Sequence, residues 1–191
     1  MPTSTSRTKS SSASRRTDIL DRVIGIDPGL GATGYGVIEG ERVVEFGVIA
    51  TDTRESVAER LLVLGRELDL VVRRLQPAAC ALETLFFKGG GARSVILSAQ
   101  CRGVILYTLA RRAVPVTEVT PATVKLAATG SGRASKPQMV FMVRKVLGLD
   151  DRVPEHAADA LAAAYCLSKR SRGFPGAGGQ VSRASGAWPV R

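Results

Sequence analysis

The sequence is poor in the residues that mark disulfide-rich, zinc-cysteine and membrane proteins. Its 191 residues include three cysteines, one tryptophan and one histidine, and only 5% are aromatic. Cys80, Cys101 and Cys166 are odd in number and widely spaced in apolar surroundings, which argues against disulfides or a CxxC zinc site and predicts buried thiols. No apolar run approaches the roughly 18 residues that span a bilayer, and the N-terminus lacks an apolar signal-peptide core. These absences predict a soluble, intracellular protein.

What the chain has in excess is positive charge. Lysine and arginine number 27 against 17 acidic residues, a net charge of +10, which suggests an anionic partner such as nucleic acid. Much of this excess lies in residues 1–21 and 169–191, which are rich in Ser, Gly and Arg and are predicted to be disordered tails. Because 45% of the residues are apolar, we expect one folded domain over residues 22–168.

The charge of this expected core is divided into three blocks. Residues 22–87 and residues 146–168 each carry a net charge of −3, whereas residues 88–145 carry ten basic residues and one acidic residue. This division indicates an acidic site beside a basic surface. The alternative is that the basic block is only a solvated face of the protein, as most runs of charge are.

Hydrophobic periodicity predicts five strands and five helices. The strands are expected at residues 23–27, 35–38, 43–50, 78–83 and 115–120. The helices are expected at residues 55–75, 92–112, 121–128, 139–147 and from about 154 to 168. Three opening strands followed by alternating helices and strands indicate a mixed sheet with helices packed on its faces.

The helix expected at residues 92–112 is apolar on more than one face. A helix that is apolar all round is buried, so this one is predicted to be buried. Two explanations remain open from the pattern itself. The helix is buried inside one domain, or part of it forms the interface of a two-fold dimer.

Three carboxylates stand at positions that suggest a common site. Asp27 ends the first predicted strand, Glu83 ends the fourth, and Asp159 lies in an alanine-rich helix with His156 on the same face. If the two strands are neighbours and the helix packs on the sheet, the four side chains converge. Clustered carboxylates on an apolar wall are costly unless a cation joins them, and oxygen-rich sites suit Mg²⁺ or Mn²⁺.

Each of these residues also has an ordinary structural explanation when taken alone. An aspartate before Pro-Gly, such as Asp27, is often a turn former. Glu83 fits an exposed strand end, and His156 fits the first turn of a helix. Asp159 among alanines is the hardest of the four to explain structurally.

Together the motifs resemble those of the RuvC Holliday-junction resolvases. The matching segments, in order, are GIDPGLGATGYGVIE at 25–39, ALETLFF at 81–87 and HAADALAAAYC at 156–166. SAQCRGV at 98–104, the VK step at 124–125 and the SK step at 135–136 also match. The resemblance covers residues 22–168. It implies an α/β, RNase H-like fold with a mixed five-stranded sheet and helices on both faces.

The resemblance implies a structure-selective endonuclease that resolves Holliday junctions by symmetrical nicking of two strands, in homologous recombination and DNA repair. Asp27, Glu83, His156 and Asp159 would bind two Mg²⁺ or Mn²⁺ ions, and water would attack the phosphate to leave a 5′-phosphate and a 3′-hydroxyl. A homodimer in the bacterial cytoplasm is implied as well. So is a partnership with a junction-migrating motor complex of the same repair pathway.

His156 stands where the commonest form of the third motif has aspartate. The resemblance still implies a metal ligand, because the family accepts histidine at this position. We therefore expect cleavage activity to fall at low pH as the imidazole is protonated and stops binding metal. A pH–rate profile of cleavage checks this expectation. Activity that stays flat down through that range, or full activity in His156→Ala, would contradict it.

An aromatic and basic segment follows the second motif. Phe86, Phe87 and Lys88 precede three glycines and Arg93. The resemblance implicates Phe86 in opening the junction, since an aromatic ring there would stack on an unpaired base. The alternative is that one or both phenylalanines pack under the loop.

Further basic residues are candidates for DNA contact. Lys125 and Lys136 match basic DNA-contacting positions of the family, and Arg93 and Arg133 are candidate phosphate contacts. Lys136 follows GSGRAS, a polar and glycine-containing stretch that we expect to be mobile. Contacts of this kind supply affinity without reading sequence and make binding sensitive to salt.

Three other functions stay open on the sequence. The acid and glycines of GIDPGLGATGYG also resemble the phosphate loop of sugar-kinase and actin-like ATPases, although those enzymes need two lobes and a longer chain. A non-catalytic nucleic-acid-binding module is the second. An RNA-directed enzyme of the RNase H-like fold is the third.

Overall fold

The sheet combines an antiparallel meander with two parallel strands. The computed structural model describes residues 22–84, 91–150 and 152–171. The strands are β1 (Arg22–Asp27), β2 (Ala32–Glu39), β3 (Arg42–Ala50), β4 (Ala79–Glu83) and β5 (Val116–Val119). Their order in the sheet is β3-β2-β1-β4-β5. Strands β1, β2 and β3 pair antiparallel, whereas β4 lies parallel to both β1 and β5.

Helices cover both faces of this sheet. They are α1 (Val57–Leu75), α2 (Ala92–Arg111), α3 (Pro121–Thr129), α4 (Lys136–Leu147) and α5 (Glu155–Ser171). One core cluster joins α1 and α2 to side chains such as Ile26 and Leu82. The other joins α3, α4 and α5 to the opposite face of the sheet, through side chains such as Val23 and Ala81. The predicted α/β class, with a mixed five-stranded sheet between two helical layers, is confirmed.

The turn between α3 and α4 is defined by its caps. Gly130 ends α3 with a φ of 76°, in the left-handed region that favours glycine. Ser135 begins α4 through a capping box with Gln138, so this helix starts three residues before the predicted Met139. The stretch GSGRAS, expected from its composition to be mobile, forms a hydrogen-bonded turn between the two helices. It places Lys136 in the first turn of a helix.

Helix α5 approaches the sheet backbone to backbone. A Cβ atom on Gly25 would lie 1.9 Å from the carbonyl oxygen of Ala160, and one on Gly34 would lie 2.0 Å from that of His156. No side chain fits in such a space, so glycine is required at both positions. This close approach sets α5 directly over β1 and β2.

Helix α2 buries only one of its faces. Cys101, Ile105 and Leu109 are fully buried against the sheet. On the opposite face Ile96 is 57% exposed and Tyr107 is 65% exposed. The expectation that this helix is buried all round is wrong for the single chain, because its apolar residues are distributed around two opposite faces.

The cysteines follow the sequence prediction. Cys80, Cys101 and Cys166 are buried and form no disulfide. Burial raises the pKa of the Cys166 thiol to about 11, so this thiol stays protonated and unreactive near neutral pH. As for membranes, none of the helices in the described part of the chain has the length and apolarity needed to cross one.

Candidate active site

Two of the predicted acids end neighbouring parallel strands. Ile26 of β1 pairs with Leu82 of β4, and the next residue of each strand is Asp27 and Glu83. Successive side chains of a strand point to opposite faces. Because Ile26 and Leu82 pack under α1 and α2, the two acids face the layer that contains α5.

Helix α5 supplies the other two predicted residues. The Nδ1 atom of His156 lies 2.7 Å from Oδ2 of Asp27, within hydrogen-bonding distance. Asp159 lies one turn further along the same face, and its side chain is only 18% exposed. All four predicted residues line one cavity of about 390 Å³. The two conditions for convergence, that β1 and β4 are neighbours and that α5 packs on the sheet, are both met, and the four side chains lie together.

The electrostatics of this cavity disfavour additional negative charge. Burial raises the pKa of Asp27, and the nearby Asp159 carboxylate raises it further. The hydrogen bond to His156 acts in the opposite direction and favours the ionised form of Asp27. A site of this kind is stabilised by cations, which offset the repulsion between its carboxylates.

One such cation is supplied by the protein. The Nζ atom of Lys136 lies 2.7 Å from Oε1 of Glu155 and 2.9 Å from Oδ2 of Asp159. The hydrogen bond to Glu155 is the main cause that raises the pKa of Lys136, which therefore stays charged throughout the physiological range. The same contact lowers the pKa of Glu155.

The donor atoms in the cavity fit hard and borderline divalent cations. Carboxylates of Asp27, Glu83 and Asp159 supply oxygen ligands, and His156 adds an imidazole nitrogen. Within residues 22–84, 91–150 and 152–171, no three such side chains are gathered closely enough to hold an ion as they stand. The contacts present instead are the Asp27–His156 pair and the Lys136–Asp159 pair.

Two residues at this site were missed by the sequence analysis. Glu155 lines the cavity and lies one helical turn before Asp159, a spacing of four residues that would have identified it. Arg102 is buried in α2 and donates a hydrogen bond of 2.7 Å to the main-chain carbonyl of Glu83. It also pairs with Glu118. Arg102 lies in the SAQCRGV motif, but the sequence pattern does not indicate which residues its side chain contacts.

The predicted DNA contacts lie in different places. Lys125 and Lys136 line the cavity itself. Arg133 is exposed and lines a neighbouring hollow of about 460 Å³, and Arg93 is exposed in the first turn of α2. Phe86, Phe87 and Lys88 lie outside the described residues.

Comparison with known proteins identifies the family. The model of the family described as crossover junction endodeoxyribonuclease RuvC matches residues 23–167. The chain belongs to the RuvC family. A RuvC from Thermomicrobium roseum is 44% identical over 155 residues, which cover 79% of this chain and 94% of that relative. A RuvC from Syntrophomonas wolfei is 43% identical and covers 76% of this chain and 87% of the relative.

Solved structures of RuvC share the fold. Thermus thermophilus RuvC is 33% identical, with a TM-score of 0.74 over 79% of this chain and 95% of that one. The same protein in complex with a Holliday junction substrate gives a TM-score of 0.73 at 33% identity, covering 79% and 94% of the two chains. The yeast mitochondrial resolvase Ydc2, at 15% identity and a TM-score of 0.56, resembles this chain in fold alone. The RNase H-like architecture is thereby confirmed.

Proposed function

We propose that this protein is a crossover junction endodeoxyribonuclease that resolves Holliday junctions by nicking two strands symmetrically. The observation that carries the proposal is the convergence of Asp27, Glu83, His156 and Asp159 in one cavity that Lys125 and Lys136 also line. Acids beside cations match the needs of phosphodiester hydrolysis, in which a polyanion must be held next to groups that bind metal. Membership of the RuvC family supports the same conclusion.

In the proposed mechanism these four residues would hold two divalent ions, Mg²⁺ or Mn²⁺. When bound, such ions activate the attacking water and neutralise the leaving oxygen. Asp27 and Glu83 are held at the ends of paired strands, so their backbone positions are fixed by the sheet. His156 lies against Asp27 and offers its imidazole from the helix above. Asp159 completes the set of ligands.

Positively charged residues are proposed to hold the DNA. Lys125 and Lys136 contact the phosphates next to the scissile bond, and Arg93 and Arg133 contact phosphates further away. Phe86, Phe87 and Lys88 are proposed to act at the crossover, where an aromatic ring stacks on an exposed base. These contacts recognise the shape and charge of the junction more than its sequence.

Synthetic substrates test the proposed function directly. The protein is incubated with a four-way junction, a linear duplex and an RNA–DNA hybrid, each with Mg²⁺ or Mn²⁺, and the products are mapped on sequencing gels. We expect paired nicks at symmetrical positions in the junction alone. Cleavage of the hybrid instead would favour an RNA-directed nuclease, and binding of the junction without cleavage would favour a non-catalytic module.

Symmetrical nicking requires two active sites, and we propose that they come from a homodimer built on the outer face of α2. Ile96, Leu106 and Tyr107 lie on this face with the small residues Ala99 and Gly103 between them. A face of this composition permits close packing against its own copy around a two-fold axis. We also propose, from the family resemblance, that a junction-migrating motor complex is a partner.

A charge on this face is expected to separate the dimer. Ile96→Asp places two unpaired carboxylates in the interface, so the dimer dissociation constant should rise at least about ten-fold. Sedimentation velocity over a range of concentrations measures this change. Leu70→Asp is the matched control, since Leu70 is a similarly exposed apolar residue that lies on α1 and not on the outer face of α2. An unchanged dimer in Ile96→Asp, or equal loss in both variants, would contradict the proposed interface.

A further inference from the structure

Lys136 forms an ion pair with Asp159, which we propose as a metal ligand. We infer that Lys136 acts as a stand-in cation that holds Asp159 in the DNA-free protein and transfers to a DNA phosphate when the junction binds. Metal binding at Asp159 and phosphate binding at Lys136 would then be positively coupled. This inference rests on the proposed nuclease function and adds the order in which its site is assembled.

The geometry shows that the lysine is held by two carboxylates at once. Its Nζ atom bridges Glu155 and Asp159 at 2.7 and 2.9 Å. Both acids come from the first turns of α5, whereas the lysine comes from the first turn of α4. The ion pairs therefore join two elements across the cavity.

The charges explain why a lysine serves as a substitute for an ion. Burial and the nearby Asp159 carboxylate both raise the pKa of Asp27, so in the absence of metal the cavity favours a positive charge beside these acids. The ammonium group supplies one charge and occupies Oδ2 of Asp159, a proposed metal ligand. A metal ion that used this oxygen would compete with Lys136, and the competition would lower its apparent affinity.

The lysine is also accessible enough to leave. Its side chain is 52% exposed, and that of Glu155 is 76% exposed, so the Lys136–Glu155 pair is screened by solvent. A phosphate entering the cavity offers the ammonium an alternative partner. By thermodynamic linkage, a ligand that removes Lys136 from Asp159 must raise the affinity of Asp159 for metal.

Metal binding without DNA tests the first half of the inference. Mn²⁺ affinity is measured by calorimetry, and the Mn²⁺-induced rise in Tm is measured alongside it. We expect Lys136→Met to bind Mn²⁺ at least about five-fold more tightly than the wild type, with a larger rise in Tm. Lys136→Arg keeps the cation and should behave like the wild type. Because neither measurement involves cleavage, a failure of this test is distinguishable from a failure of the proposed nuclease function.

The control removes the same charge elsewhere on the same helix. Lys145 is exposed on α4 and does not line the cavity, so Lys145→Met should leave Mn²⁺ affinity unchanged. Equal gains in Lys136→Met and Lys145→Met would show a general effect of net charge and would overturn the inference. Unchanged or weaker Mn²⁺ binding in Lys136→Met would overturn it as well.

The second half is tested with linear duplex DNA, which the proposed function predicts is bound through its phosphates and not cut. Duplex affinity is measured by fluorescence anisotropy with and without Mn²⁺ at matched ionic strength. In the wild type, Mn²⁺ should release Lys136 for phosphate contact and improve binding relative to its effect on Lys136→Met. An equal effect of Mn²⁺ on both proteins would overturn the coupling.

Discussion

Asp27→Asn is expected to lower the rate of junction cleavage more than about 100-fold while junction binding is retained. Loss of a group that only supports a metal ligand typically costs 10–100-fold, so loss of a proposed ligand should cost more. Binding should persist because Lys125 and the other proposed phosphate contacts are unchanged. Single-turnover cleavage and anisotropy-based binding measure the two quantities separately.

The appropriate control is an exposed aspartate away from the cavity. Asp150 pairs with Arg152 at the surface and does not line the cavity, so Asp150→Asn should leave both cleavage and binding unchanged. Cleavage that survives in Asp27→Asn would contradict the proposed role of Asp27. Loss of binding together with cleavage would indicate a structural role instead.

Gly34→Ala is expected to damage both the fold and the site. Its new methyl group would overlap the carbonyl oxygen of His156, which would lie only 2.0 Å away, so α5 must move off the sheet. Overpacking of this kind typically costs about 1–3 kcal/mol, and here both sides of the contact are backbone, so we expect the upper part of this range. Cleavage should fall too, because the first turn of α5 bears His156 and Asp159. Urea unfolding measures the loss of stability.

The same substitution in the same motif provides a control. A methyl group on Gly31 would meet only the end of the Arg60 side chain, at 3.8 Å. Gly31→Ala should therefore leave the free energy of unfolding within about 0.5 kcal/mol of the wild type. If Gly34→Ala were as stable as Gly31→Ala, the described contact between helix and sheet would be wrong.

The sequence predicted where the acids of the cavity lie better than it predicted which side chains they contact. Asp27 and Glu83 could be placed because each ends an apolar strand, and parallel neighbouring strands bring such ends together. The pairing of Lys136 with Asp159 depends instead on how α4 and α5 pack, and no local pattern records that contact. The start of α4 was missed because its apolar periodicity begins at Met139, whereas the capping residue Ser135 lies four residues earlier.

The sequence correctly predicts that the outer face of α2 is apolar, but the prediction that this face is buried is wrong for the single chain. Hydrophobic periodicity shows which faces of a helix are apolar, but it does not show whether each face is buried in the same chain. Ile105 is covered by its own sheet, whereas Tyr107 is exposed in the single chain. Sequence periodicity cannot distinguish a face that the domain's own core buries from a face that is exposed in the single chain, which we propose a second copy covers.

The hydrogen bond from Arg102 to the main-chain carbonyl of Glu83 has a consequence for how two cuts would be positioned. Arg102 belongs to the helix whose outer face we propose as the dimer interface, and Glu83 ends the strand that carries a proposed catalytic acid. One buried side chain thus links the helix that bears the proposed interface to the strand end that bears a proposed metal ligand. In the proposed dimer, this contact would tie the distance between the two nicks to the way the two α2 helices pack against each other.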